Sequence, residues 1–388
     1  MKVALLTFAR TNNYGATLQC YALCKYIESQ GHCVDIINIP LVAAGKSREG
    51  KAEQFIKKVV NKLARLSGHN RQYDYEIRYK RTPEQQQEDR KYDMLNMGLF
   101  DTFRSKYFRN LTHEYVTPTD FEADYPDADI YIVGSDQVWN LWVTNIQYPL
   151  FFFSFVKPGK KKISYAPSMG GNTNFKFRKE EVATIQSLLD KFNAISVRDK
   201  TSKAILKNVF DRDAVEVLDP TFLIDGYDDL LAGSDLDAKG SLYNFKFIIN
   251  DNWVEAIRFI AREQKLDIRM DGCLIPIEGF PFHPLCSVHE WLRLIKTSNF
   301  VFTDSFHGMV FSILFRQQFI ATPSYKGGEE RYMDLASKLG LEDRVYFTPR
   351  QIMDSKEIWM KPIDYDKVYS KLDRLKTSSR QYLLEYLK

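Results

Sequence analysis

The feature that most constrains the fold is an alternation of short apolar runs with amphipathic stretches. The first run, residues 2–8 (KVALLTF), is followed by a helical pattern over residues 17–30 and, after Gly31, by a second apolar run at residues 33–39. Short apolar runs bounded by turn residues are typical of buried strands, and a helix between two such strands makes a parallel crossover. The chain therefore opens as β-loop-α-β, the start of a parallel sheet with helices on its faces.

The same alternation continues in two series. The first predicts strands at residues 129–134, 162–166, 194–198 and 215–218, and helices at residues 93–107, 178–191 and from residue 201. The second predicts strands at residues 245–250, 267–270, 299–303 and 319–321, and helices at residues 253–263, 288–296, 306–315 and 331–339. We expect two Rossmann-like α/β domains that face a cleft, at residues 1–228 and 242–362. A C-terminal helix within residues 363–388 could pack back on the first domain.

The charge of the chain is concentrated in one segment. The chain has 54 Lys and Arg against 50 Asp and Glu, and residues 46–93, with 13 basic and 8 acidic side chains, hold the whole surplus. The rest is near neutral, so a nucleic-acid partner is not expected. We interpret residues 46–93 as an insertion that contains a basic amphipathic helix near residues 51–66. This helix either packs on the first domain or contacts an anionic membrane surface.

Location and redox state are indicated by apolar runs and cysteines. The most apolar stretch, residues 148–156, is far shorter than the ~20 residues that a membrane-spanning helix needs, and the N-terminal run is too short for a secretory signal. Five cysteines, an odd number in a long chain, argue against a disulfide framework. We expect a cytoplasmic protein, associated with the cytoplasmic face of the membrane if the basic helix binds lipid.

Candidate ligand-binding residues follow the predicted strands, because open α/β sheets bind ligands past the carboxyl ends of their strands. Asn12, Asn13, Tyr14 and Gly15 follow the first strand. The two amides offer donors and acceptors, and Gly15 permits close approach of a ligand to the backbone. A plain turn and helix cap is the equally weighted alternative.

A second candidate segment follows the strand at residues 129–134. Gly134, Ser135, Asp136, Gln137 and Trp139 combine an N–H-rich turn, polar side chains and one aromatic ring, as in sites that bind sugars. The alternative is a capping Ser or Asp with the tryptophan in the core.

Arg198 and His307 are the candidates with the most specific chemistry. Arg198 ends the strand at residues 194–198, and its planar fork suits a carboxylate or a phosphate, although a local pair with Asp199 is the commoner role. His307 lies in the first turn of a helix that follows the strand at residues 299–303. A histidine suits a proton donor near neutral pH, but a lone histidine is more often structural.

Two further cations come after the last predicted strand. Lys326 precedes two glycines, and Arg331 opens the next helix. Either could bind an anion, and a solvated loop lysine is as common. The chain has no P-loop, no GxGxxG after a strand, no GxSxG and no HExxH, and its cysteines and histidines lack metal-ligand spacing.

Six segments together resemble the polysaccharide pyruvyl transferase family. They are TNNYGATLQ (11–19), VGSDQVWN (133–140), ISYAPSMG (163–170), ISVRDKTS (195–202), VLDPTFLI (217–224) and TDSFHGMVFSILF (303–315). They occur in order between residues 1 and about 345, whereas residues 46–93 and the tail after residue 350 fall outside the resemblance.

The resemblance implies an activity and a fold. Enzymes of this family transfer the enolpyruvyl unit of phosphoenolpyruvate to a sugar and form a pyruvate ketal, and their fold resembles the GT-B arrangement of glycosyltransferases. It implies a cell-surface polysaccharide precursor as the acceptor, carried on a lipid, a nucleotide or a polymer, and no cofactor or metal. His307 matches the family's histidine and would be the general acid. Arg198 matches its strand-end arginine and would bind the anionic end of the donor, and Lys326 lies near a further basic position.

One position departs from the family pattern. Many members have Arg two residues before the histidine, where this chain has Ser305. Either Arg331 or Lys326 replaces the missing cation, or the donor differs. The alternative function is therefore a GT-B-like glycosyltransferase that uses a nucleotide sugar. The sequence does not indicate the oligomeric state.

Overall fold

The computed structural model describes residues 1–41, 82–170, 176–246, 251–273, 276–323 and 328–388. The described strands are β1 (Lys2–Leu6), β2 (Cys33–Asn38), β3 (Leu111–Glu114), β4 (Ile130–Val133), β5 (Lys161–Ser164), β6 (Ser196–Val197), β7 (Val215–Glu216), β8 (Ser241–Phe245), β9 (Asp267–Arg269), β10 (Phe300–Thr303) and β11 (Phe319–Ala321). The predicted basic helix near residues 51–66 lies outside the described residues.

Helices connect these strands and cover the sheets. The described α-helices are α1 (Tyr14–Ser29), α2 (Pro83–Tyr107), α3 (Pro118–Ala123), α4 (Leu141–Thr144), α5 (Tyr148–Phe151), α6 (Lys179–Leu189), α7 (Lys200–Phe210), α8 (Asp228–Leu231), α9 (Asp251–Gln264), α10 (Val288–Thr297), α11 (Phe306–Leu314), α12 (Glu329–Leu339), α13 (Pro349–Asp354), α14 (Lys356–Trp359) and α15 (Tyr365–Tyr386).

The first sheet has the strand order β3-β2-β1-β4-β5 and is parallel throughout. A bridge between Ile163 and Ala194 joins its last strand to the short parallel pair β6-β7. Because parallel strands place their carboxyl ends at one edge, the segments that follow β1, β4, β6 and β7 converge there. These segments begin near Thr7, Gly134, Arg198 and Val217.

The second sheet has the strand order β11-β10-β8-β9 and is also parallel. Its central strands are completely buried, with Leu242 paired with Phe300 and Phe245 with Thr303. Helix α11 leaves the carboxyl end of β10. The side chain of Ser305 caps α11 by accepting the N–H of Gly308 at 3.2 Å.

Some element limits differ from the prediction. Helix α1 begins at Tyr14 rather than residue 17, because the Asn13 side chain accepts the N–H of Ala16 and caps the helix there. Helix α2 begins at Pro83, ten residues before the predicted start, with a capping box between Thr82 and Gln85. Strand β8 covers Ser241–Phe245, so the predicted strand at residues 245–250 was placed too late.

The two sheets share a hydrophobic core. The ring of Tyr14 in α1 stacks on Trp291 of α10, with centroids 5.1 Å apart, and contacts Phe245 of β8 at 5.6 Å. The Tyr14 hydroxyl donates to the carbonyl of Cys286 at 2.7 Å. Aromatic packing between these elements therefore fixes the position of the carboxyl edge of one sheet relative to the other.

Candidate active site

Asp219 lies at the centre of the candidate site. It follows β7 and starts a short 3₁₀ turn, and its side chain is 1% exposed. Its Oδ1 accepts the N–H of Thr221 at 3.0 Å and the Thr221 hydroxyl at 2.7 Å. Its Oδ2 accepts Nη1 of Arg198 at 2.8 Å and the hydroxyl of Ser135 at 3.1 Å, and lies 3.3 Å from Nε2 of His307.

These contacts determine the protonation of the carboxyl group. Burial alone would raise the pKa of Asp219, but the charges and hydrogen bonds of His307 and Arg198 outweigh burial and hold that pKa well below its ordinary value. Asp219 is therefore a carboxylate that holds the histidine and the arginine together in a water-poor position.

His307 joins the two halves of the molecule. It lies in the first turn of α11 and is 7% exposed. One side of its ring contacts Asp219, and the other side lies against Gly15. A Cβ atom at Gly15 would lie 2.0 Å from Nδ1 of His307. Glycine at this position therefore makes room for the histidine ring. From the sequence, Gly15 was expected instead to permit close approach of a ligand.

Arg198 is a buried cation, and some of its guanidinium N–H groups have no hydrogen-bond acceptor among the described residues. The residue is 5% exposed, and its Nη2 lies 3.8 Å from Oδ1 of Asp136, beyond hydrogen-bonding distance. Neither Nε nor Nη2 makes a hydrogen bond within the described part of the chain. Buried polar atoms are nearly always paired, so two unpaired guanidinium donors indicate a position for an anionic ligand.

Two guanidinium groups lie near the ring of Phe306. Arg198 lies 4.7 Å from the ring centroid and Arg331 lies 5.6 Å from it. Arg198, Asp219, Phe306 and Arg331 also line one small cavity. The structure thus brings Arg331, from the start of α12, to the same site as Arg198. Two cations near one ring can hold an anion with two charged ends.

Ser305 and Lys326, the other positions discussed for donor binding, have different outcomes. The Ser305 hydroxyl caps α11, and its own N–H donates to the hydroxyl of Thr303 at 3.0 Å. Ser305 therefore fixes the helix start that carries His307. Lys326 lies outside the described residues, and its role stays a prediction.

The segment after β4 contributes one side chain directly to the centre, Ser135. Gly134 packs tightly, since a Cβ atom there would lie 3.1 Å from Cβ of Thr7. Asp136 adopts a left-handed conformation, with φ of 72°, beside Arg198. The side-chain oxygen Oε1 of Gln137 accepts a hydrogen bond from the side-chain amide of Asn140 at 2.7 Å.

Trp139 does not reach the site. It is completely buried, it stacks on Phe152 with centroids 4.9 Å apart, and its indole N–H donates to the carbonyl of Phe151 at 3.0 Å. The ring has no free face for a sugar, so the alternative interpretation as a core tryptophan describes it.

The segment after β1 is mainly structural as well. The Asn12 side chain accepts Nη2 of Arg104 at 3.1 Å, Asn13 caps α1, and Tyr14 is enclosed by the aromatic core. Asn12 and Asn13 are exposed beside Gly15. Of these four predicted residues, Gly15 is the one that lies against the histidine ring in the described contacts.

Asp219 and Phe306 were missed by the sequence analysis as site residues. Asp219 could have been found from its position, because Asp219 and Pro220 directly follow a predicted strand. That strand ends at the same edge of the sheet as the strand before Arg198. Phe306 resembled an ordinary core residue, and its two flanking arginines are separated from each other by more than a hundred positions.

Among the described residues, no three His, Cys, Asp or Glu side chains form a cluster that could hold a metal ion. That the reaction needs no metal stays a prediction. No helix in that part of the chain is long and apolar enough to cross a membrane.

Comparison with known families gives one extensive match. The family model described as polysaccharide pyruvyl transferase matches residues 13–324, most of the chain. The match includes Arg198, Asp219 and His307, and ends before Arg331. A comparison with curated proteins finds no match.

Solved structures share the fold at low sequence identity. UDP-GlcNAc 2-epimerase from Neisseria meningitidis, bound to UDP-GlcNAc, is 12% identical with a TM-score of 0.50, covering 100% of this chain and 99% of its own. Medicago truncatula UGT71G1, complexed with UDP-glucose, is 8% identical with a TM-score of 0.49, covering 100% and 98%. The predicted fold class, two Rossmann-like α/β units in a GT-B-like arrangement, is confirmed by the parallel sheets and the full-length similarity to the epimerase.

Proposed function

Because the chain belongs to the polysaccharide pyruvyl transferase family, and is therefore a transferase, we propose that it transfers the enolpyruvyl group of phosphoenolpyruvate to a sugar of a cell-surface polysaccharide precursor. The product is a pyruvate ketal. The observation that carries the proposal is the joint contact of His307 and Arg198 with the buried carboxylate of Asp219. This arrangement supplies a proton donor and a cation side by side.

In the proposed reaction His307 donates a proton to the methylene carbon of the donor. Positive charge develops at C2, a sugar hydroxyl forms a bond to C2, and the C2–O bond to phosphate breaks with its electron pair on the phosphate. A second hydroxyl then closes the ketal. The two hydroxyls release two protons, of which one restores His307 and the other leaves with phosphate. Asp219 orients the imidazole.

The donor has two anionic groups, a carboxylate and a phosphate. Arg198 and Arg331 both lie near the ring of Phe306, and in this proposal they bind the two groups. This pair supplies the second cation that Ser305 does not. Low exposure around Arg198 strengthens such contacts, because few water molecules compete for the guanidinium.

The proposal is tested by release of phosphate from phosphoenolpyruvate in the presence of nucleotide-linked and lipid-linked sugars. We expect His307→Ala to lower the rate by about 100-fold or more, as removal of a general acid does. His113→Ala is the matched control, since His113 is half exposed and pairs with Asp124. Undiminished release in His307→Ala would exclude the assigned acid.

A further inference from the structure

The C-terminal helix α15 is hydrogen-bonded to the turn that carries Asp219. The hydroxyl of Ser379, a residue 1% exposed, accepts the N–H of Leu218 at 2.9 Å. Leu218 directly precedes Asp219, and its carbonyl accepts the hydroxyl of Tyr165 at 3.0 Å. The backbone N–H and C=O of Leu218 are therefore both bonded to buried hydroxyls. One of these hydroxyls, that of Ser379, comes from α15.

The same helix also holds the far side of the turn. Nε of Arg380 donates to the carbonyl of Leu223 at 2.9 Å, and its guanidinium pairs with Asp225. Successive residues of α15, Ser379 and Arg380, thus bond to the chain just before and just after the turn at residues 219–222. The turn cannot shift relative to α15 without breaking these bonds.

The N-terminal half of α15 is bonded to the helix that carries His307. The Tyr369 hydroxyl donates to the carbonyl of Leu314 at 2.9 Å. The Tyr365 hydroxyl lies 3.2 Å from the carbonyl of Ser312 and closer still to the carbonyl of Gln317, just after α11. The carbonyls of Ser312 and Leu314 belong to the last turn of α11, whose first turn carries His307. One helix of 22 residues therefore connects the two elements that supply the His307–Asp219 pair.

Such a connection matters because the pair is formed by distant parts of the chain. His307 and Asp219 are 88 positions apart and leave the edges of different sheets. Their 3.3 Å contact weakens steeply with small displacements. A helix is stiff along its axis, so bonds at both of its halves hold the distance between the two elements that it bridges.

We propose that α15 is the positioning element of the His307–Asp219 pair, and that Ser379 is its positioning residue at the Asp219 turn. The inference rests on the proposed function only for its effect on turnover; the geometry of the pair can be measured without any substrate. Ser379 touches neither His307 nor Asp219, and acts through the peptide of Leu218.

The experiment compares Ser379→Ala with two matched variants of the same helix. Tyr382→Phe removes a buried hydrogen bond of similar length, 3.0 Å to the carbonyl of Ser164, but leaves the Asp219 turn untouched. Ser378→Ala removes an exposed hydroxyl that bonds only within the helix. Ser379→Thr keeps an acceptor oxygen at the tested position. Thermal unfolding checks that each variant is folded.

The first readout is the imidazole nitrogen spectrum of the free protein, in which His307→Ala identifies the signal. We expect Ser379→Ala to shift the His307 signal in the direction seen for Asp219→Asn, and Ser379→Thr to restore it. Tyr382→Phe and Ser378→Ala should leave it in place. An unshifted His307 signal in folded Ser379→Ala, or an equal shift in Tyr382→Phe, overturns the proposal.

The second readout is turnover of phosphoenolpyruvate. A displacement of the pair by about 1 Å predicts a fall in kcat of up to about 100-fold in Ser379→Ala, with KM for the donor nearly unchanged. A rise in KM with kcat unchanged would contradict a positioning role. If phosphoenolpyruvate is not turned over by any variant, the proposed function fails, and the nitrogen spectrum still decides the positioning role.

Discussion

At the residue scale, the site requires a glycine at position 15, because a larger residue there would occupy the space of the histidine ring. His307 is enclosed between Gly15 and Asp219, and a Cβ atom at residue 15 would overlap its ring. The ring would have to move away from Gly15, because the backbone of α1 is held by its cap and its core contacts. The position of the histidine therefore depends on a glycine in α1, the helix that follows the first strand of the other sheet.

Gly15→Ala is expected to lower turnover by about 100-fold, because a misplacement of about 1 Å in a catalytic group has that effect. The cost in stability should be smaller, about 1–3 kcal/mol for an overpacked methyl group. Phosphate release and denaturant unfolding measure the two effects. Gly98→Ala is the control, since a Cβ atom there meets nothing within 4 Å. Equal activity of both variants would contradict this placement of His307.

Asp219 gives a second prediction at this scale, about pH. Asp219→Asn leaves the charge of Arg198 buried without its carboxylate, so we expect the free energy of unfolding near pH 7 to fall by about 3–5 kcal/mol. A carboxyl whose pKa is lower in the folded state stabilises the protein above its unfolded pKa of about 3.9, and that stabilisation is lost as pH falls further.

The difference between wild type and Asp219→Asn should therefore shrink as pH falls below about 4. Urea unfolding at a series of pH values measures it. Asp235→Asn, an exposed carboxylate in the same half of the chain as His307, is the control. A variant as stable as wild type at pH 7 would show that Asp219 holds no buried charge.

At the scale of elements, the anion site is built from the end of β6 and the starts of α11 and α12. The ring of Phe306 in α11 lies near both Arg198, after β6, and Arg331 in α12. Each guanidinium comes from a different element, so their spacing is fixed by packing around one aromatic ring. An anion with two charged ends can bridge elements in this way.

Arg331→Met keeps most of the side-chain length and removes the charge. Loss of a hydrogen bond to a charged group costs about 1.5–3 kcal/mol, so we expect the Kd for phosphoenolpyruvate to rise by about 10- to 100-fold. Calorimetric titration measures it, with the exposed Arg350→Met as control. An unchanged Kd for phosphoenolpyruvate in Arg331→Met would show that Arg331 is not the second cation of the site. Lys326 would then be the next candidate for that role.

Element limits show what periodicity can and cannot predict. Strand β11 was predicted with its observed limits, because an apolar run of three residues is bounded by polar residues on both sides. Strand β8 was predicted too late in the chain, since the apolar pattern continues past Phe245. The limits of the strand are set by its register with β10, which a single sequence does not reveal. The start of α2 was missed although Thr82, Pro83 and Gln85 form a recognisable cap.

At the scale of the whole molecule, the candidate site exists only where the two sheets meet. Arg198 and His307 could be singled out from the sequence because each carries specific chemistry directly after a strand. Their shared partner could not, because an Asp-Pro pair after a strand resembles any turn and the contact between Asp219 and His307 spans 88 positions. The long-range packing that creates this contact is a property of the folded chain.

The most direct test of the account is calorimetric binding of phosphoenolpyruvate to the purified protein, beside uridine diphosphate. We expect saturable binding of phosphoenolpyruvate that is lost in Arg198→Ala, whose fold is checked by circular dichroism, and retained in His307→Ala. This result would identify the donor before any acceptor is known. Binding of uridine diphosphate with none of phosphoenolpyruvate would contradict the account, and would favour a glycosyltransferase that uses a nucleotide sugar.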